Sequence, residues 1–152
     1  MNRFLLAPDH AAQIKTAARA AFPGECCGLI EGARTSDAIR ATNVHSTRNV
    51  STEAGRFEID PAEHIRRLRA ARAAGREIIG CYHSHPNGRP DLSDRDREQA
   101  GEEGFVWLIA SLAAADAPVR LRTFIVANER FEPLAFEVAP VTGSSAGKDA
   151  SQ

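Results

Sequence analysis

The sequence predicts an α/β protein, a single domain built on a mixed β-sheet flanked by helices. Three observations predict it. Short apolar runs suited to buried strands alternate with helical patterns. The helical patterns carry their own start and stop residues. The length, 152 residues, is that of one domain with one core.

Residues 8–22 read as the first helix, alanine-rich, with Ile14, Ala18 and Ala21 on one face and Pro23-Gly24 as its stop. Residues 27–30 form an apolar run expected to enter the core as a strand, and residues 38–44 and 56–60 look like further strands joined by a polar loop. The second helix starts at Asp60-Pro61-Ala62-Glu63. Asp60 can cap, Pro61 suits the first helical position, Glu63 can complete a capping box, and Gly75 marks the stop. Ile65 and Leu68 are expected to face inward, leaving Arg66, Arg67, Arg69 and Arg72 as a solvated face or a docking surface for an acidic partner. Residues 77–82 (EIIGCY) read as a buried strand that delivers His83 at its end. Residues 93–103 look like a short acidic helix, and residues 105–111 (FVWLIAS) like a central strand covered on both faces. Residues 121–127 follow. In residues 131–138, Leu134, Phe136 and Val138 are expected inward, and Pro133 pushes the segment towards an edge. The domain is expected to span residues 1–140, with a small polar, disordered tail at 141–152.

The formal net charge of -1 gives no general attraction to nucleic acid or to an anionic membrane. No apolar run approaches the roughly 18 residues of a membrane span. Three cysteines, two of them adjacent, make a poor disulfide framework and point to a reducing, cytoplasmic setting with the thiols as small buried hydrophobes. His10, His45 and His64 are expected at the surface.

The chemistry gathers in His83-Ser84-His85-Pro86, followed by Ser93 and Asp96. Side chains two apart on an extended chain share a face, so both imidazoles can address one metal ion. Asp96 arrives at the first turn of the next helix to close a three-ligand set. Two nitrogens and a carboxylate oxygen without thiolate suit zinc (Zn2+, one per chain) in an open site, where a bound water has its pKa lowered to roughly 7. Glu25 is the candidate proton shuttle, and Ser93 can donate to the oxyanion that forms when water attacks a carbonyl. Cys81, two residues before His83, either approaches the metal or packs in the core. Each feature has a duller reading. The histidines can be ordinary strand-end residues, Ser93 to Asp96 a helix cap, and Glu25 a surface carboxylate.

Taken together, Glu25-Cys26-Cys27-Gly28 and His83-Ser84-His85-Pro86 with Ser93 and Asp96 resemble the E-x-C-G and H-S-H-P…S-x-x-D signatures of JAMM (MPN-plus) zinc metallopeptidases, in order and in spacing. The resemblance runs from about Phe22 to Val138 and implies the MPN fold, which is cytidine-deaminase-like. It implies zinc on His83, His85 and Asp96, Glu25 as general base and then acid, and Ser93 steadying the tetrahedral intermediate. The chain looks like the compact prokaryotic branch. That resemblance implies hydrolysis of a peptide or isopeptide bond at the C-terminus of a ubiquitin-like or sulfur-carrier protein; the charge argues for no nucleic acid or membrane partner, and a homo-oligomer is one option. The rivals are a non-catalytic MPN-type scaffold and a RadC-like nucleic-acid-associated protein. The RadC-like branch typically has Asn between its histidines, where this chain has Ser84.

Overall fold

A computed structural model of the chain describes residues 3–53, 56–99 and 101–140. The tail expected at 141–152 lies outside the described residues. The elements, in chain order, are β1 (Arg3–Leu6), α1 (Pro8–Ala21), β2 (Cys27–Arg34), β3 (Ile39–Thr47), α2 (Pro61–Ala73), β4 (Glu77–His85), α3 (Asp94–Arg97), β5 (Val106–Ser111), β6 (Arg120–Ala127), β7 (Arg130–Pro133) and β8 (Ala135–Val138). The described strands form one sheet in the order β7-β6-β5-β4-β2-β3-β1-β8. β4 sits near its middle, antiparallel to β2 and parallel to β5. The α/β class and the mixed sheet are therefore as expected.

Alternation along the strands, with its phase shifted in β4 at Ile79 by a register irregularity opposite Ile30 and Glu31, splits the core between the two faces. One face packs Ile30, Ile79, Tyr82 and Leu108 against Ala11, Ile14 and Ala18 of α1. The other packs Leu29, Ile78, Cys81, Trp107 and Ile109 against Ala71 and Leu68 of α2 and against Phe57. Fully burying an aliphatic side chain of this size contributes about 1.5–3 kcal/mol, so both faces hold the central strands firmly. One glycine is required by close approach. A Cβ on Gly28 would lie 2.2 Å from Cε2 of Tyr82 and 2.5 Å from the His45 carbonyl oxygen.

The two ends of the strand order meet. β7 pairs with β6, and one residue later β8 pairs with β1. Leu134, the hinge between them, donates its N–H to Thr123 O at 3.0 Å and is buried. A single continuous stretch thus stitches opposite edges together, and the sheet curls around the core beneath α1.

Several local expectations are corrected. Ile65 is 49% exposed, because α2 turns His64, Leu68 and Ala71 towards the sheet. Glu63 completes no capping box and pairs instead with Arg66 and Arg67, while Asp60 caps by accepting from Ala62 N. The strand expected at 56–60 is only the bridge Asn49–Ile59, the helix expected at 93–103 is only Asp94–Arg97, and Val138 is exposed. β1 was not anticipated, although Phe4 and Leu6 are fully buried. His10, His45 and His64 are half-buried; His45 pairs with Glu31 at 2.8 Å, and Glu31 also receives Arg76.

Candidate metal centre

β4 carries Cys81, His83 and His85 on its α2-facing side and delivers the two histidines at its C-terminal end. Asp96 comes from the opposite direction, as the third residue of α3. Ser93 Oγ accepts from Asp96 N at 3.0 Å, and Asp96 Oδ2 accepts from Ser93 N at 2.9 Å, a reciprocal capping box. The box fixes the carboxylate. Its Oδ1 lies 3.1 Å from His83 Nε2, its Oδ2 lies 3.0 Å from His85 Nε2, and the two Nε2 atoms are 3.2 Å apart. All three side chains are buried.

Three donor atoms at these separations suit a small cation. A tetrahedral ion with bonds of about 2.0–2.1 Å has ligand–ligand edges of about 3.3–3.4 Å. The hydrogen bonding carries the fit further. His85 Nδ1 is 2.9 Å from Arg89 O, a carbonyl that can only accept, so Nδ1 holds a hydrogen. In neutral His85 the Nε2 lone pair then faces an Asp96 oxygen at 3.0 Å, an arrangement stable only with a proton or a cation between them. Without a metal, His85 takes the proton. Burial works against the imidazolium, but the Asp96 contacts and the Arg89 carbonyl outweigh it and raise its pKa. Burial holds His83 below the usual histidine range, against the pull of Asp96, and so favours the neutral imidazole that ligates metal. Burial also opposes ionisation of Asp96, but His83 and His85 overcome it and keep the carboxyl far below the ordinary range. His83, His85 and Asp96 are, among the described residues, the group whose ligand atoms all lie within 4.8 Å of one another. The donor set fits zinc.

Glu25 lies just before β2 and is held beside this trio by backbone contacts. Asn49 Nδ2 donates to Glu25 O at 3.2 Å. Its neighbour Cys26 is clamped to β4, since Cys26 N donates to Ser84 Oγ at 2.8 Å and Ser84 N donates to Cys26 O at 3.1 Å. Ser84 thus uses the β4 face opposite the histidines to fix the segment carrying Glu25. Reasoning from the sequence missed this role, whose signal is the small hydroxyl residue alternating with two candidate ligands. Burial pushes the Glu25 carboxyl up to about 7, with His85 pulling down and Asp96 pushing up, so the three groups feel one another. Ser93 is exposed; because its Oγ accepts in the cap, its own hydrogen is left to donate. Cys81 packs in the apolar cluster and stands outside the ligand group, and burial raises its pKa.

Two grooves open at the site, one reaching His85 and the other Glu25. One, of about 660 Å³, runs past His85, Arg89, Leu92 and Ser93. The other, of about 400 Å³, runs past Glu25, Asn49, Thr52, Arg56 and Pro86. An ion pair, Arg95 Nη1 to Glu53 Oε1 at 2.7 Å, ties the 48–58 loop to α3 at the site's rim. The three groups of ligands, acid–base carboxylate and hydroxyl expected from the sequence are therefore all brought to one end of β4.

Comparison with known proteins agrees with this fold. The family model of prokaryotic homologs of the JAB domain matches residues 7–125. A desampylase of Haloferax volcanii is 42% identical over 90 residues, covering 59% of this chain and 63% of the relative. A desampylase of Pyrococcus furiosus is 31% identical over 87 residues, covering 57% and 59%. The chain thus spans about three fifths of the length of these relatives. Among solved structures, a protein from Desulfitobacterium hafniense superposes with a TM-score of 0.79 at 24% identity, over 91% of this chain and 94% of that one. A protein from Salinibacter ruber gives 0.67 at 26% identity, over 94% of each chain.

Proposed function

The chain belongs to the family of prokaryotic JAB-domain homologues, the JAMM/MPN group, and from that premise we propose that it is a zinc-dependent isopeptidase or peptidase. Its substrate would be a ubiquitin-like or sulfur-carrier protein, cut at the flexible C-terminal tail. The observation that carries the reading is the convergence of the His83, His85 and Asp96 ligand atoms within 4.8 Å of one another, close enough to Glu25 for His85 and Asp96 to act on its carboxyl, which burial pushes up to about 7. The relatives named desampylases support hydrolysis of a protein modifier.

His83, His85 and Asp96 would hold the ion, which supplies Lewis acidity to the attacking water and to the scissile carbonyl. The remaining work falls to this chain's own residues. Glu25 takes a proton from the attacking water and passes it to the leaving amine; a carboxyl poised near 7 can do both at neutral pH. Ser93, with its hydroxyl hydrogen uncommitted, donates to the carbonyl oxygen as charge develops there. Arg89 O holds His85 in the tautomer that presents Nε2, and the capping box orients Asp96. The grooves on either side accept the extended chain on the two sides of the cleaved bond.

Metal analysis of purified protein, paired with cleavage of carrier proteins extended beyond a terminal Gly-Gly, tests this reading. Glu25→Gln should retain zinc and lose hydrolysis. An active Glu25→Gln enzyme would sink the role given to Glu25, and metal-free protein with undiminished cleavage would sink the function.

A further inference from the structure

The three ligands are not held alike. His85 is oriented by the Arg89 carbonyl and Asp96 by the Ser93 cap. His83 is fully buried, yet its Nδ1 has no hydrogen-bond partner among the described residues. A metal-ligating histidine ordinarily gives that nitrogen to an acceptor, which fixes both tautomer and ring orientation. Aromatic rings surround the imidazole instead. Phe57 stacks on it with centroids 4.1 Å apart and an interplanar angle of 16°. Trp107 meets it edge-on at 5.6 Å and 89°, and Phe57 and Trp107 brace each other at 5.7 Å and 75°. Both rings are buried, so neither has room to swing away.

We propose that Phe57 is a positioning residue that orients His83 for the metal by ring stacking, in place of the missing hydrogen bond. This rests on the reading of the trio as a zinc site. The terminal torsion of histidine is broad and roughly two-fold, so an imidazole without a partner at Nδ1 needs another restraint. A parallel ring at 4.1 Å supplies it, because twisting the imidazole drives one of its edges into the Phe57 face. Phe57 is also part of the 48–58 loop. Residues Val50, Glu53, Arg56, Phe57 and Glu58 line a groove of about 430 Å³ there. The stack therefore joins a groove wall directly to a metal ligand, and a leucine cannot replace it, because leucine offers volume without a flat face.

The test measures zinc affinity by chelator competition and follows uptake through Trp107, the sole tryptophan of the chain, which sits edge-on to His83. Wild type is compared with Phe57→Leu, Phe57→Tyr and Phe124→Leu, each checked for folding by thermal melting. Phe124 belongs to the same buried cluster but is not one of the rings against His83. Phe57→Leu should bind zinc about 10- to 100-fold more weakly, the range for losing a group that orients a ligand. Phe57→Tyr should restore affinity to within about threefold of wild type, and Phe124→Leu should stay there too. Wild-type affinity in folded Phe57→Leu, or an equal loss in Phe124→Leu, overturns the proposal. Should Phe57→Leu not fold, Phe57→Met carries the same comparison. Failure of wild type itself to take zinc overturns the metal reading first, and this one with it.

Discussion

Replacing Asp96 by Asn separates the two jobs that this side chain combines. Asn keeps an oxygen that can accept from Ser93 N, and the bond to Ser93 Oγ is donated by the backbone N–H of residue 96, which the change leaves alone. The capping box of α3 should survive, but metal-free protein also loses the buried carboxylate that His83 and His85 face, which should cost up to about 3–5 kcal/mol. The anionic oxygens facing His83 and His85 at 3.1 and 3.0 Å are what disappears. Losing a group that merely orients a ligand costs about 10- to 100-fold in metal affinity, so losing a ligand charge should cost about 100-fold or more, which is about 2.7 kcal/mol. Zinc at about 1,000 times the wild-type dissociation constant stabilises wild type by about 4.1 kcal/mol, but a 100-fold weaker variant by only about 1.4 kcal/mol. For a domain of this size the difference is about 5–11 °C in melting temperature. Differential scanning calorimetry of both proteins, each with zinc and with chelator, reads all four states. Equal zinc-induced shifts would refute Asp96 as a ligand. A chelated Asp96→Asn that melts together with chelated wild type would refute the pairing of this carboxylate with the two histidines in metal-free protein.

Three further outcomes follow from the same structure. Glu25 must be ionised to take a proton, and a bound cation draws its carboxyl down from about 7, so kcat/KM should rise with pH along a limb centred at or below 7; a limb centred above 8 in a pH–rate profile contradicts this. Glu31 is buried; burial opposes its ionisation, but His45 and Arg76 prevail and hold its carboxyl below the ordinary value. Its folded pKa is the lower one, so its contribution is present above the unfolded value and fades as pH falls through the folded one; urea titrations should show the gap between wild type and Glu31→Gln narrowing from pH 7 towards pH 3, and a widening gap would reverse the argument. Gly28→Ala puts a methyl within 2.5 Å of both the Tyr82 ring and the His45 carbonyl oxygen, so denaturant unfolding should show a loss of about 1–3 kcal/mol or more, whereas an unchanged midpoint would mean that β2 can shift.

What could be read from the sequence follows from which forces are local. His83 and His85 were legible because extended chains alternate, and Asp96 because Ser93 announces a cap three residues ahead. Their distances need only β4, a short loop and one turn of helix. Glu25 reads only as a candidate carboxylate between the first helix and the first apolar strand, since nothing local ties it to His85; the tie is Ser84 reaching Cys26 across a strand pair 58 residues apart in sequence. Ile65 was misassigned because hydrophobicity was taken as burial. The face that α2 buries is His64, Leu68 and Ala71, whose weak apolar signal the more conspicuous Ile65 and its neighbouring arginines conceal. β1 and the β7–β8 seam were illegible for another reason. A four-residue strand such as Arg3–Leu6 exists through its pairing with β3 and β8, and no window of sequence contains that pairing.

Phe57 shows the same limit at the site itself. Between Arg56 and Glu58 it reads as one apolar residue of a presumed strand, yet its ring lies 4.1 Å from that of His83, 26 positions away. A motif records the groups that touch the ion; it cannot record how each is held, because orientation comes from whatever the fold packs against it. In this chain one histidine is held by a carbonyl and the other by an aromatic face. Two ligands with the same chemistry should therefore answer differently to mutation of their surroundings: the His85 side through the 86–92 loop, the His83 side through the 48–58 loop that walls the groove. If the groove loop does position His83, changes made there to alter substrate preference will also move zinc affinity. Changes confined to the 86–92 loop will act on the metal through the Arg89 carbonyl and through the Ser93 cap that the loop runs into.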